Sequence, residues 1–578
     1  MQPLAMPASF PISTIGLVCL VVVIIGVIVK NAGKRPLPGI PYNERALRSF
    51  MGDMGELSER QRAGDTSVRP WFLEQAARHK SALVQIFLGP FAGPTLLLSD
   101  YREVSDILTH RDSDFKRGDK KIDVFRGLIP HAFPAMESYH PSFRESRGLT
   151  MGLMAPSFLK KVSSPKIYNC SSRLVELWQL KSSMSQGRPF DVVSDIGCFA
   201  FDAIMGTAIG LAESDGNIDR QLSHLQRLSV SQPAWSGADD HEMSVTFPSA
   251  GSSQELRALL VNEQSLWKGF YVPWPRLYHF VDKLRPTVRD ANRIIQAYFD
   301  KWTRTAISRL KHGKDPQTAF EFIIQRQIDV SSDSAVEATV NDPRIRDSVY
   351  SYLIAGHDTS AGSLIWLIRR LVSHPEEQEK IRTSLRKTYT AAHEQKRVPS
   401  ADELAKTAPY LDAYIEEVLR CNCPVSTVAL TTRRDTLILG HPVAKDTPVF
   451  LNLTGPSLNM PSVHVEESHR SPTCQARKGM RANWDDEDPT AFRPERWLRT
   501  NDDGEVVFSR VAGPFLSLSA GDRGCWGRKL GYLELRILLT LLVWSFEFHT
   551  LPSELETWEL HDSLATAPKQ CYVRLSPI

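Results

Sequence analysis

The chain has 578 residues, of which 42% are hydrophobic and 23% charged, the balance of a globular protein able to bury a sizeable core rather than of a disordered one. Sixty-nine basic residues against 66 acidic ones leave a formal charge of +3, well short of the electrostatic footprint that nucleic-acid binding needs. The eight cysteines are too sparse and irregular for a disulfide framework, and the lone Cys421-x-Cys423 pair lacks a histidine or second cysteine pair at zinc spacing.

The first element is the uncharged run ISTIGLVCLVVVIIGVIV at residues 12–29, close to the length that crosses a bilayer. Lys30, Lys34 and Arg35 follow this run rather than precede it, the wrong order for a cleaved signal peptide. By the positive-inside tendency those cations hold the body of the protein in the cytosol. A retained, single-pass anchor over residues 1–33 is therefore expected, in the endoplasmic reticulum membrane by default. Pro36, Pro38 and Pro41 fix the backbone and stop helix formation, so residues 34–42 read as a stiff extended hinge.

From residue 43 to 578 there is neither an internal repeat nor a long low-complexity tract, and one large domain is expected, mainly α with small β-sheets. Helical periodicity marks residues 99–108, 168–180, 291–310 and 343–371, and short strand patterns mark 83–88, 95–98, 437–439 and 449–453. Polar stretches at 229–253 and 455–483 read as surface loops inserted into that domain.

The long helix at 343–371 starts soundly on Asp342-Pro343 and stops on His374-Pro375. Its apolar centre is interrupted by Ile354-Ala-Gly-His-Asp-Thr-Ser-Ala-Gly362, where each glycine costs about 1 kcal/mol relative to alanine. A flat ligand pressed against the helix would need the clearance that Gly356 gives, and Asp358 with Thr359 would relay protons. The bland alternative is a helix bent by Thr and Ser bonding back to the preceding turn.

Further along, Glu417 and Arg420 share a helical face in Leu411-Asp-Ala-Tyr-Ile-Glu-Glu-Val-Leu-Arg420, and Phe492-Arg-Pro-Glu-Arg-Trp497 follows. Each is unremarkable alone. Cys525 lies in Leu518-Ser-Ala-Gly-Asp-Arg-Gly-Cys-Trp-Gly527 at the entrance to an apolar helix. Unpaired backbone N–H groups there stabilise a thiolate, although a cysteine among glycines, taken alone, is more often an ordinary loop thiol.

In this order and spacing the segments resemble the cytochrome P450 family. Its central-helix motif is matched by Ala355, Gly356, Asp358 and Thr359, with Ser360 in place of a second threonine. Its E-x-x-R is matched by Glu417 and Arg420, its P-E-R-F by Pro494, Glu495, Arg496 and Trp497, and its cysteine loop by Gly521, Arg523, Cys525 and Gly527. The resemblance spans nearly the whole chain and implies a cytochrome P450 fold at 43–578, behind the anchor, carrying haem b (heme b, iron protoporphyrin IX). Cys525 would be the axial thiolate ligand. Asp358 and Thr359 would deliver protons, Arg147 in Phe143-Arg-Glu-Ser-Arg147 and Arg523 would meet the haem propionates, and Glu417, Arg420 and Arg496 would form a structural charge triad.

That resemblance further implies a monooxygenase acting on a hydrophobic small molecule, with electrons from NADPH through NADPH–cytochrome P450 reductase and cytochrome b5 as an accessory donor. The long polar loops are similar to those of fungal members acting in secondary metabolism. The rival readings are an enzyme of the same fold that rearranges or dehydrates its substrate without dioxygen, and a haem protein that senses or carries a ligand. Substrate-pocket walls are expected from residues 119–140, 267–278, the helix at Ile354 and Ala355, and a turn at 425–430. The departures are Leu518 for phenylalanine, Ser519 for glycine, Phe143 for tryptophan, and Leu430 where an arginine commonly meets a propionate. Arg433 and Arg434 are its nearest sequence substitutes.

Overall fold

The computed structural model describes residues 35–89, 92–211, 215–231, 243–272, 274–330, 342–480 and 488–578. The expected span and anchor lie outside these residues, and among the described residues no helix is long and apolar enough to cross a membrane. The helices that shape the site are α1 (Tyr101–Thr109), α2 (Pro141–Thr150), α3 (Ser164–Ser185), α4 (Val193–Ala208) and α5 (Gln254–Gly269), followed by α6 (Pro286–Lys311), α7 (Pro343–Ser373), α8 (Pro409–Cys421) and α9 (Arg528–Ser545).

Helix α7 is the axis of the molecule. Asp342 caps it by accepting the Arg344 N–H at 2.8 Å, Pro343 suits its first turn, and most of its 31 residues are buried. Against it lie α3, α4, α8 and α9, whose Leu174, Phe199, Tyr414, Ile415, Leu538 and Leu542 join Leu364 and Leu371 in one apolar core. Each such side chain contributes roughly 1.5–3 kcal/mol on burial. The closest approach is at Gly356, where an added Cβ would stand 2.6 Å from the Ile204 Cδ1 of α4. The clearance expected for a flat ligand is thus used by a neighbouring helix.

Strands β1 (Leu83–Ile86), β2 (Thr95–Leu98), β3 (Phe115–Arg117), β4 (Thr427–Thr432) and β5 (Pro448–Asn452) form one sheet in the order β1-β2-β5-β4-β3. Only β2 and β5 run parallel. In the β3–β4 ladder Arg117 stands opposite Leu430. The sheet covers a second core that includes Leu96, Leu98, Ile107, Val428, Leu451 and Leu516. Near the C-terminus a hairpin of β6 (Leu560–Asp562) and β7 (Thr566–Pro568) packs on α7, with Gly362 allowing the close approach of Ala565.

Three expectations change. The turn expected at 425–430 is mostly strand β4, whose Thr-Val-Ala-Leu-Thr-Thr is short and half polar but pairs on both edges. The stretch at 229–253 begins inside a helix, Asn217–Ser231. The insertion at 455–483 is no loose loop, because Arg470 holds Asp100 of the α1 cap at 2.6 and 2.9 Å and Glu467 holds Arg102 at 2.8 Å.

Candidate active site

The loop that carries the cysteine is anchored from α8. Both Glu417 oxygens accept from Arg420 at 2.7 Å, while Arg496 Nε at 3.1 Å, Trp497 Nε1 at 2.9 Å and the Arg493 N–H at 2.8 Å complete the carboxylate's shell. The Glu417, Arg420 and Arg496 side chains are fully buried, so the triad read from sequence is assembled as expected. Ser517 Oγ then donates to the Leu419 carbonyl at 2.6 Å, tying the start of the cysteine loop to the same helix.

Two backbone conformations shape the rest of the loop. Gly521 has φ +67, and a Cβ there would sit 1.8 Å from the Leu108 carbonyl oxygen of α1. Ser519 has φ +56, left-handed backbone that costs an L-residue about 1–2 kcal/mol, which explains why related loops prefer glycine there. Cys525 N–H closes the turn on the Leu518 carbonyl at 2.8 Å. The replacement of phenylalanine by Leu518 leaves that backbone contact intact.

Cys525 is exposed, two residues before Gly527 caps α9. Although the residue is exposed, protein packed around its sulfur pushes the thiol pKa up, opposed by the Gly527 N–H and the Arg528 guanidinium. A bound metal ion removes such a proton outright. Trp526 meets Tyr352 of α7 edge-on at 6.0 Å. One turn beyond Tyr352, Ala355 is exposed although Leu353, Ile354 and Ala361 are buried.

At that turn each residue faces its own neighbour, because successive helical positions point about 100° apart. Thr359 Oγ1 donates to the Ala355 carbonyl at 2.6 Å. Asp358 instead faces the β6–β7 hairpin, accepting from Ser563 Oγ at 2.6 and 2.7 Å and from the Ala565 N–H at 2.6 Å. Ser360 faces α9 and donates to Glu534 at 2.7 Å, where burial pushes the carboxyl up to about 7 against that bond. His357 points towards α5 and bonds Glu263 at 3.0 Å. Burial pulls this imidazole down, but the Glu263 carboxylate outweighs it and holds the pKa at about 9. Sequence reading missed Glu534 and Glu263, since nothing local marks a carboxylate that meets its partner across helices.

Cations gather on the other side of the cysteine loop. Arg523 donates through Nε to Ser138 Oγ and through a terminal nitrogen to the Met136 carbonyl, both at 2.7 Å, and lies 3.9 Å over the Phe143 ring. Arg147 approaches the same ring at 6.0 Å, so Phe143 serves both as an aromatic platform. Burial together with Arg117 and Arg147 pulls Arg523 down to about 9, with Glu137 and Asp522 opposing. Arg117 is likewise lowered to about 10 by burial alone, and Lys121 is held well below its usual value by burial, Arg117 and Arg523. Neither Arg117 nor Lys121 was picked out from the sequence.

An exposed thiol at a helix entrance, an exposed alanine on the central helix and a half-buried cluster of cations fit a flat, metal-bearing dianion. They define the class as a haem-thiolate protein. The family model described as Cytochrome P450 matches residues 69–460 and 482–575, and the chain belongs to the cytochrome P450 family, whose members carry haem on a cysteine thiolate. It is 29% identical over 586 residues to cytochrome P450 monooxygenase TRI13 of Fusarium sporotrichioides, covering 97% of this chain and 98% of that protein. It is 30% identical over 558 residues to cytochrome P450 monooxygenase xilC of Penicillium rubens, covering 94% and 92%. The Hps1-dma1 cluster cytochrome P450 monooxygenase cyp3.1 of Dothistroma septosporum is 36% identical over 274 residues, covering 45% of this chain and 86% of that protein. With the family established, the chain is a cytochrome P450 monooxygenase.

Proposed function

We propose that this enzyme inserts one oxygen atom from dioxygen into a bulky hydrophobic small molecule of fungal secondary metabolism. Electrons come from NADPH through a cytochrome P450 reductase, with cytochrome b5 as accessory donor. The observation that carries this reading is the Thr359 hydroxyl bonded to the Ala355 carbonyl at the exposed turn of an otherwise buried helix. Haem held at Cys525 supplies the dioxygen chemistry when bound.

The chain's own residues do the rest. Cys525 Sγ is the iron ligand, and the Gly527 N–H moderates its charge. Arg147 and Arg523 take the propionate carboxylates as charge-assisted partners. Thr359 Oγ1 hands a proton towards the reacting oxygen, and Asp358, steadied by Ser563 and Ala565, reloads it through water. Phe125, Trp267, Phe270 and Tyr271 form an aromatic cluster between the helix Asp119–Arg126 and α5, suited to covering an apolar ligand and excluding water. The three fungal relatives, one named for a gene cluster, support a place in secondary metabolism.

Thr359→Ala is expected to keep haem and substrate binding while lowering product formed per NADPH, with hydrogen peroxide rising in its place. Proton transfers of this kind are worth about 10²–10⁴-fold, so the change is visible in side-by-side measurement of product, peroxide and NADPH in a reconstituted system. Ser360 is committed to Glu534 and should not rescue it. A fully coupled Thr359→Ala enzyme contradicts the assignment.

We also assign the enzyme to the endoplasmic reticulum membrane, single-pass through residues 12–29, with the catalytic domain cytosolic. The helix Pro275–Asp282 supports a second contact, because Leu277, Phe280 and Val281 on it, and Trp274 and Leu284 beside it, are exposed. Arg276, Lys283 and Arg285 lie among them, a mixture suited to a lipid headgroup boundary. Removing residues 1–33 is expected to release much of the protein from membranes with its haem intact, as fractionation and absorbance will read. Undiminished sedimentation with membranes contradicts the anchor.

A further inference from the structure

On the haem-thiolate reading above, we propose that Arg117 provides the propionate contact that Leu430 lacks, with Lys121 beside it as a further cation. The arginine expected after α8 has been moved across a strand pair. In the β3–β4 ladder Arg117 and Leu430 are direct partners. Directly opposite residues on antiparallel strands point to the same face with their Cβ atoms about 4.5–5.5 Å apart. A guanidinium rooted at 117 therefore reaches the space that one rooted at 430 would fill.

The two arginines that follow Leu430 in sequence are used elsewhere. Arg434 pairs with Asp114, and Arg433 lies 3.9 Å over the Tyr139 ring. Arg117 and Lys121, by contrast, form no hydrogen bond or ion pair among the described residues. Both are half-buried. Lys121, on the helix Asp119–Arg126, feels Arg117 and Arg523, and Arg523 feels Arg117 and Arg147. No carboxylate acts on Arg117 or Lys121. Half-buried cations left without an anion are costly, and a ligand bearing two carboxylates, bound among Arg117, Lys121, Arg147 and Arg523, removes that cost.

The test is the rate at which the full-length holoenzyme gives up haem to excess apomyoglobin, measured for wild type, Arg117→Leu, and Arg117→Leu with Leu430→Arg. Loss of one charged hydrogen-bond partner predicts about a 10- to 100-fold faster loss in the single variant. The double variant should return most of the way to wild type. An unchanged rate in Arg117→Leu, or a rate left unrestored in the double variant, overturns the proposal. If Arg117→Leu does not accumulate, the double variant alone decides, folded holoprotein with near-wild-type retention supporting the relocation and failure to hold haem refuting it. Failure of the underlying reading is distinguishable, since wild type would then show no thiolate-type band when reduced under carbon monoxide.

Discussion

Cys525→Ser is expected to give a folded protein that has lost its thiolate-type reduced carbon monoxide band and all measurable turnover. The fold survives because Cys525 is exposed and its sulfur fills no part of the core. The chemistry does not, because an alcohol stays protonated where a thiol yields to a metal, and it offers no anionic sulfur to push electron density towards O–O cleavage. Far-ultraviolet circular dichroism and the reduced carbon monoxide spectrum together read both halves. A variant with an unchanged spectrum removes Cys525 as ligand.

Glu417→Ala should be almost as damaging for a different reason. The carboxylate is fully buried and receives two guanidinium groups, an indole N–H and a backbone N–H. Deleting it leaves Arg420 and Arg496 as uncompensated buried charges, at a cost of about 3–5 kcal/mol. That is a large fraction of the roughly 5–15 kcal/mol that holds a domain folded, and it falls on the helix that fixes the cysteine loop through Ser517. Low holoprotein yield and a steep fall in the urea midpoint are expected. A midpoint close to wild type would make the triad dispensable.

What the sequence made legible was whatever is encoded by neighbours along the chain. The α7 cap and stop, the Glu417–Arg420 spacing and the loop around Cys525 are each contained in a few consecutive residues, so their geometry follows from helix periodicity and glycine placement. Gly356 was read correctly as a position of close approach, but the approaching group is Ile204 of α4 rather than a ligand, because clearance in sequence carries no direction. Asp358 and Thr359 are adjacent in sequence yet bond to different partners, as the turn of a helix requires. Least legible were features set by register or by distant packing. Arg117 acquires its meaning only when β3 pairs with β4, and β4 itself passed for a turn. The Ser360–Glu534 and His357–Glu263 bonds span 174 and 94 residues, beyond any local pattern, and the insertion at 455–483 is held to α1 by ion pairs that composition alone reads as surface charge.

The central claim is that one oxygen atom of dioxygen ends up in the product. It is tested most directly by expressing the chain with a cytochrome P450 reductase in a host whose substrate accumulates when the gene is deleted, under an atmosphere of heavy dioxygen. The account predicts one heavy oxygen atom in the restored product, dependent on NADPH and absent when Thr359→Ala is fully uncoupled or Cys525→Ser is used. A product that forms without dioxygen and NADPH, or that takes its new oxygen from water, would contradict it.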